Sequence, residues 1–380
     1  MTMREGTQSV ERISVDQSCS MWTLHQSSSR VRRFGLDAAR AAAIVLVLVS
    51  HGTGYWAPLV GGKFFNPAGI FWVTGIDGVE LFFCLSGFLI GGLLLDIQRR
   101  NPSAEAVKIF LVRRWMRTLP LYYLVLIAFV VFPQIEPNAQ QYVWSYFLLA
   151  QNLVTRMPAS NWFGPSWSLT IEEWSYLALP FLAFYVCRST RNPVGCAALI
   201  LIAVGFAARL SIGLANGAST LEDWDGWIRK LVFSRSDAVA YGALAVVFVE
   251  HYDRTAKRWV LPLAAAMLGL NFWICYEPER IPGIVGWLPL FPLTAVGFTL
   301  LLPWLADLPT PKFTAFAAPI QFLARISYAL YLVHWPFIYF ASTVPTSFSL
   351  VVYFGGSLLV AALLSYAVEY PIMRLRPKQV

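Results

Sequence analysis

Runs of apolar residues, each close to the roughly 20 residues that cross a hydrocarbon layer, recur along this chain with short polar breaks between them. They centre on 41–58, 76–96, 119–133, 166–187, 195–214, 231–249, 259–275, 284–305, 320–341 and 350–369. Runs of this length in lipid must satisfy their backbone polar groups internally, which leaves the helix as the spanning element. The expected architecture is all-α: a polytopic transmembrane bundle of ten spanning helices. A chain of 380 residues has room for two or three soluble domains, but 57% of it is hydrophobic and only 13% charged, and no stretch between the runs is long enough to build one.

Residues 1–33 are rich in Ser, Gln and Arg and hold no apolar core before Arg40, so they read as a disordered cytoplasmic tail rather than a cleavable signal. Residues 34–377 form the integral membrane domain. The 29 Lys and Arg set its orientation. With the tail inside and the apolar stretch 142–154 not spanning, the outer side keeps only Lys63, Arg156, Arg229, Lys230 and Arg280. Arg209 and Arg235 fall within helices, and the rest face inward, as the positive-inside bias requires. The reading is a multi-pass protein of the plasma (inner) membrane with both termini cytoplasmic. The stretch 142–154 becomes a short re-entrant or interfacial helix, followed by Trp-rich NWFGPSWS at the interface.

A net charge of +8 does not point to nucleic acid, because the basic residues lie between apolar runs and have no aromatic-interleaved surface. Cys19, Cys84, Cys187, Cys196 and Cys275 show neither metal-ligand spacing nor a paired framework. No Gly-rich phosphate loop, zinc-binding spacing or serine nucleophile elbow is present, and GTGY after His51 excludes the His-x4-Asp pattern. No metal and no tightly held cofactor is expected.

Ionisable residues inside the runs are costly in lipid, so their default reading is functional. Arg40 and His51 bracket the first run, about 16 Å apart along a helix, and Arg325 and His334 are about 14 Å apart in the ninth, which puts both histidines near the midplane. Glu80 and Glu172 fall in the outer half of their helices, and Arg235 and Asp237 enter from the outer end of the sixth. At i and i+2, Arg235 and Asp237 are expected to face apart and to find partners elsewhere. Arg113, Arg114 and Arg117 line an inner mouth that Pro120 is expected to open by breaking the helix, and such a cluster suits phosphate. His51 is the candidate general base, or the nucleophile of a covalent acyl-imidazole. Glu80 or Glu172 would orient it, with Glu172 ahead of Glu173 because it shares a helix face with Ser168. His334, before Pro336, serves as a second catalytic or structural histidine.

The Arg40 to His51 spacing, GVELFFCLSGFLI at 78–90, RRWMRTLPLYY at 113–123, PSWSLTIEEWSY at 165–176, SRSDAVAYGALA at 234–245 and RISYALYLVHWP at 325–336 occur in one order. This set resembles the acyltransferase 3 family of integral membrane acyltransferases, over about Arg33 to Pro377. The resemblance implies transfer of an acyl group, commonly acetyl, from cytoplasmic acyl-CoA to a hydroxyl of a saccharide or other cell-envelope or exported acceptor. By motif, Arg40 and His51 match the family's Arg and His pair, and Arg114 and Arg117 its Arg-x-x-Arg element. Glu80 stands where Asp is expected as often. No soluble hydrolase-like domain follows the tenth run, which leaves acceptor delivery to this bundle or to partner proteins of envelope biosynthesis. The expected site is therefore His51, Glu80, Glu172 and His334 for the chemistry, with Arg40, Arg113, Arg114 and Arg117 for the acyl-CoA donor. The reading from another class is a transporter of an anionic metabolite that uses the same histidines and carboxylates as a proton relay; no inverted repeat supports it.

Overall fold

The computed structural model describes residues 33–60, 65–132, 143–157, 162–249 and 257–378; the expected N-terminal tail up to residue 32 lies outside them. Among the described residues, the longer helices carry the bundle. They are α1 (Phe34–His51), α2 (Pro67–Arg100), α3 (Ala104–Val131), α4 (Ser166–Phe181), α5 (Pro193–Asn216), α6 (Ala240–Val249), α7 (Lys257–Tyr276), α8 (Leu290–Ala306), α9 (Thr314–Ser342) and α10 (Thr346–Arg374). Among the described residues, seven helices are long and apolar enough to cross a membrane, eight if one bent pair is a single span. This is a multi-pass membrane protein. Each of the ten expected runs holds helix among the described residues, but ten spans are not reached: α8, with 17 residues, is a shorter apolar helix, and α4, which continues past Phe181 as a π-helix to Val186, is not among the helices apolar enough to cross.

α1, α2 and α9 pack together at the centre, with α6 and α8 closing over α2. Close approach of α2 and α6 depends on two glycines that face each other's backbone. A Cβ on Gly87 would sit 1.9 Å from the Val239 carbonyl oxygen, and one on Gly242 2.0 Å from that of Cys84. Where lipid removes the hydrophobic drive between helices, such small-residue contacts supply the packing.

Four expectations change. Helix α3 runs unbroken through Pro120; a membrane bundle tolerates proline because neighbouring groups take up the carbonyls it frees. The sixth run does not begin as an α-helix. The chain bends by 78° between Leu221–Arg229 and Phe233–Phe248, and a 3-10 turn at Phe233–Arg235 precedes α6, which starts at Ala240; Arg235 and Asp237 lie ahead of the α-helix, where Arg235 Nε comes within 3.8 Å of Asp237 Oδ1. The helical argument that kept them apart does not apply there. The Trp-rich stretch turns its first rings inward: Trp162 and Phe163 are fully buried, packed against Tyr122, Phe129 and Tyr146. Finally, α1 covers Phe34–His51 rather than 41–58, so His51 terminates it instead of sitting mid-helix. In the expected non-spanning stretch 142–154, the described residues, 143–154, hold one short helix, Val143–Phe147, too short to span.

Candidate active site

The end of α1 is tied down by its own sequel, HGTGYW. The Leu48 carbonyl accepts from Gly52 N at 2.9 Å and from the Tyr353 hydroxyl at 3.1 Å. The Trp56 indole donates to the Val49 carbonyl at 2.9 Å, and the Thr53 hydroxyl to that of Ser50 at 2.6 Å. These are the carbonyls that a helix C-terminus otherwise leaves open. The Ser50 hydroxyl in turn donates to the Phe71 carbonyl of α2 at 2.8 Å. His51 is therefore carried on a rigid terminus.

Its imidazole meets His334 of α9. His51 Nδ1 is 2.9 Å from His334 Nε2, and the rings stack with centroids 5.1 Å apart and 13° between planes. A third group fixes the proton positions. His334 Nδ1 lies 3.2 Å from the Leu330 carbonyl, which can only accept, so Nδ1 carries the hydrogen. Neutral His334 then offers a lone pair at Nε2, and His51 donates its Nδ1–H to it. What remains on the neutral His51 ring is the lone pair of Nε2. The wall around it is aromatic, with Phe71 at 6.0 Å between centroids and Trp335 edge-on at 5.5 Å. Trp335 is backed by Gly164, on which a Cβ would lie 2.6 Å from three indole atoms.

A column of polar contacts descends from this pair between α9, α4, α3 and α2. The Tyr331 ring lies 5.9 Å from that of His334, and its hydroxyl is 2.6 Å from Ser168 Oγ. One turn below, Tyr328 donates to the Thr118 carbonyl at 2.6 Å, and the Thr118 hydroxyl donates to Glu173 at 2.6 Å. Next, the Tyr176 hydroxyl donates to Glu172 at 3.1 Å and lies 2.7 Å from Ser86 Oγ. The Arg114 guanidinium closes the column, 5.7 Å from the centre of the Tyr176 ring.

The arginines gather at that lower end. Arg40 pairs with Asp37 at 3.5 Å. Arg117, Arg376 and Arg40, from α3, the end of α10 and α1, all act electrostatically on Glu369. Arg114 acts on both Glu172 and Glu173. Arg113 donates to the Pro377 carbonyl. The site thus has two ends, guanidinium groups at one and imidazoles at the other.

Among the described residues, neither Glu80 nor Glu172 is bonded to His51, and the orienting contact expected of them is made by His334. Glu80 is engaged elsewhere. It pairs with Arg235 at 2.5 Å, and Asp237 pairs with Arg209 at 2.8 Å, all four side chains at most 2% exposed. Arg235 also lies 3.7 Å from the centre of the Phe291 ring. Opposite charges found each other because isolated charge in this interior costs several kcal/mol per ion, about the effective penalty of burial. Ser168 turns to Tyr331, so the face shared with Glu172 does not connect those two.

Three participants escaped the sequence reading. Tyr331 precedes His334 by three residues and shares its face, a spacing that could have found it. Trp335 was hidden by its neighbour, Pro336. Arg229 was assigned to an outer loop, yet it donates to Asp225 at 2.8 Å and to the Gly75 carbonyl of α2 at 3.3 Å, with its guanidinium 4.8 Å from the Trp167 ring centre. Gly75 is one turn from Phe71, and the charges of Arg229 and Lys230 act on His51.

The family model described as "Acyltransferase domain" (Acyl_transf_3) matches residues 33–370. This chain belongs to that family. Within the acyltransferase 3 domain lie both histidines, the arginines of α1 and α3 and every residue of the polar column. Peptidoglycan O-acetyltransferase OatA of Listeria monocytogenes is 24% identical over 370 residues, 89% of this chain and 55% of the relative. O-acetyltransferase OatA of Staphylococcus aureus is 24% identical over 334 residues, covering 81% of this chain and 51% of the relative. The putative peptidoglycan O-acetyltransferase YrhL of Bacillus subtilis is 27% identical over 189 residues, 44% of this chain and 27% of the relative. The chain thus spans about half the length of the first two of these curated relatives. No solved structure matches it.

Proposed function

We propose that this protein is a membrane O-acyltransferase that moves an acyl group, acetyl first among them, from cytoplasmic acyl-CoA to a hydroxyl of a saccharide or other cell-envelope acceptor beyond the outer face. The observation that carries this reading is the relay from the Leu330 carbonyl through His334 to His51, which leaves Nε2 of His51 as a fixed lone pair at the head of a polar column. Nε2 takes the proton of the acceptor hydroxyl as its oxygen attacks the thioester carbonyl. His334, held by Leu330, receives the Nδ1–H bond of the resulting imidazolium, in the place a carboxylate occupies in a hydrolase triad. Collapse of the tetrahedral centre breaks the C–S bond, and the Nε2 proton passes to sulfur, so ester and free thiol are the products.

Arg40, Arg114 and Arg117 at the other end suit the pyrophosphate of the donor, since guanidinium pairs with phosphate in a bidentate fork. The basic end would face the cytoplasm of a plasma (inner) membrane, following the positive-inside bias. The names of the relatives, peptidoglycan O-acetyltransferases, support an envelope saccharide as acceptor. The test is release of free thiol from acetyl-CoA by purified protein in lipid nanodiscs, wild type against His51→Ala, with an oligosaccharide panel. Turnover in the wild type that is lost in the variant, with acetyl-CoA binding retained, supports the reading. An intact thioester together with anion flux in liposomes would move the protein to the transporter class.

A further inference from the structure

The bent segment between α5 and α6 brings two cations toward the histidine pair from the side opposite the arginine-rich end. Arg229 Nη1 donates to Asp225 Oδ1 at 2.8 Å, and Lys230 Nζ lies 2.5 Å from Asp225 Oδ2. One carboxylate against two cations leaves a net positive charge. The pair is fixed rather than floating: the guanidinium sits 4.8 Å from the centre of the Trp167 ring and 5.7 Å from that of Trp72, and bonds the Gly75 carbonyl. The backbone beneath is held too, since Asn152 Nδ2 donates to the Lys230 carbonyl at 2.5 Å and Asn152 O accepts from Val232 N at 2.9 Å. The Arg229 bonds to Asp225 and Gly75 use two of the five guanidinium N–H groups. Arg229 and Lys230 keep 12% and 15% of their side-chain surface, and Trp72, beside Arg229, is half-buried.

We infer that Arg229 and Lys230, with Trp72, form an acceptor subsite for an anionic saccharide, one carrying a carboxylate or phosphate near the hydroxyl that is acylated. Aromatic faces with a few placed polar groups are how small polar ligands are oriented in largely apolar pockets. A guanidinium already stacked and tethered loses little freedom on binding an anion. A cation pair with no ligand to meet would be a costly arrangement next to a reacting histidine, whereas an anionic acceptor completes its charge. The inference rests on the acyltransferase reading.

The experiment is calorimetric titration of the full chain in nanodiscs with matched probes: a glucuronate-containing disaccharide, its methyl ester, glucose 6-phosphate and glucose. The wild type should bind at least one anionic probe more tightly than its neutral partner by about tenfold, the size of one charge-assisted hydrogen bond. Arg229→Gln should bring that ratio close to one, Arg229→Lys should keep part of it, and Lys230→Gln should reduce it. Which anion is preferred separates carboxylate from phosphate. Equal binding of acid and ester and of phosphate and sugar by the wild type, no binding of any probe, or an undiminished ratio in Arg229→Gln would each overturn the inference. The wild-type comparison holds even where a variant does not fold. Thiol release from acetyl-CoA, measured on the same wild-type sample, reports separately on the acyltransferase reading.

Discussion

His51 and His334, 283 positions apart in sequence, share one hydrogen bond of 2.9 Å, and its proton belongs to His51. Leu330 decides this, because its carbonyl claims the Nδ1 hydrogen of His334. The consequence is a directional pair in which His334 accepts and the lone pair of His51 lies at Nε2, where the proposed general base needs it.

That direction is testable at position 334. His334→Gln keeps an acceptor in side-chain form and should retain about tenfold more acyl transfer than His334→Leu, in the range typical of groups that orient a reacting imidazole. Steady-state thiol release would check it, and equal activity of the two variants would remove His334 from the relay. His51→Ala and His51→Gln should both fall by at least about a thousandfold, the scale of a general base and more.

Trp335 is wedged between His51 and Gly164. Gly164→Ala should drive the indole against the imidazole and lower turnover by roughly tenfold or more, as small misplacements in a site do. Trp335→Phe in the same protein should restore much of the loss by making room. If the single substitution leaves turnover at wild-type level, Trp335 does not set the position of His51.

The arginine end should govern donor affinity. Arg114→Ala with Arg117→Ala is expected to raise the KM for acetyl-CoA by more than about tenfold, two charge-assisted contacts being removed, with a smaller change in kcat. Titration against acetyl-CoA and dephospho analogues would show the split. An unaltered KM would return these residues to a purely topological role.

Glu80 and Arg235 form a buried ion pair at 2.5 Å, away from any contact with His51 among the described residues. Glu80→Leu alone should strand a buried guanidinium and cost about 3–5 kcal/mol, whereas Glu80→Leu with Arg235→Met should recover most of it, because Asp237 keeps its nearer cation, Arg209 at 2.8 Å, when Arg235 at 3.8 Å is removed. Thermal unfolding in one detergent would compare the three proteins. A double variant as unstable as the single one would mean that the four charges act as one inseparable network.

How far the sequence reached is clearest at particular residues. The apolar runs yield helices where expected, because internal satisfaction of the backbone in lipid is a local demand that needs no knowledge of neighbours. His51, His334 and the α3 arginines stood out for the same reason, as ionisable groups in apolar surroundings. Arg235 and Asp237 were misjudged because the argument assumed α-helical geometry where the chain forms a 3-10 turn ahead of α6. Trp162 and Phe163 were misjudged because a Trp-rich stretch near a helix end fits an interface and a core equally well until its neighbours are known.

Sequence alone determined the class of the fold and the list of residues from which a site could be built, since both follow from the solvation of single side chains and single segments. Tertiary structure decided the pairings: His334 rather than a carboxylate against His51, Arg235 against Glu80, Ser168 against Tyr331, and Arg229 against the Gly75 carbonyl. Each of these contacts joins segments that spacing along the chain cannot relate. Which of several compatible partners a buried polar group meets is set by how the helices pack, not by the group itself.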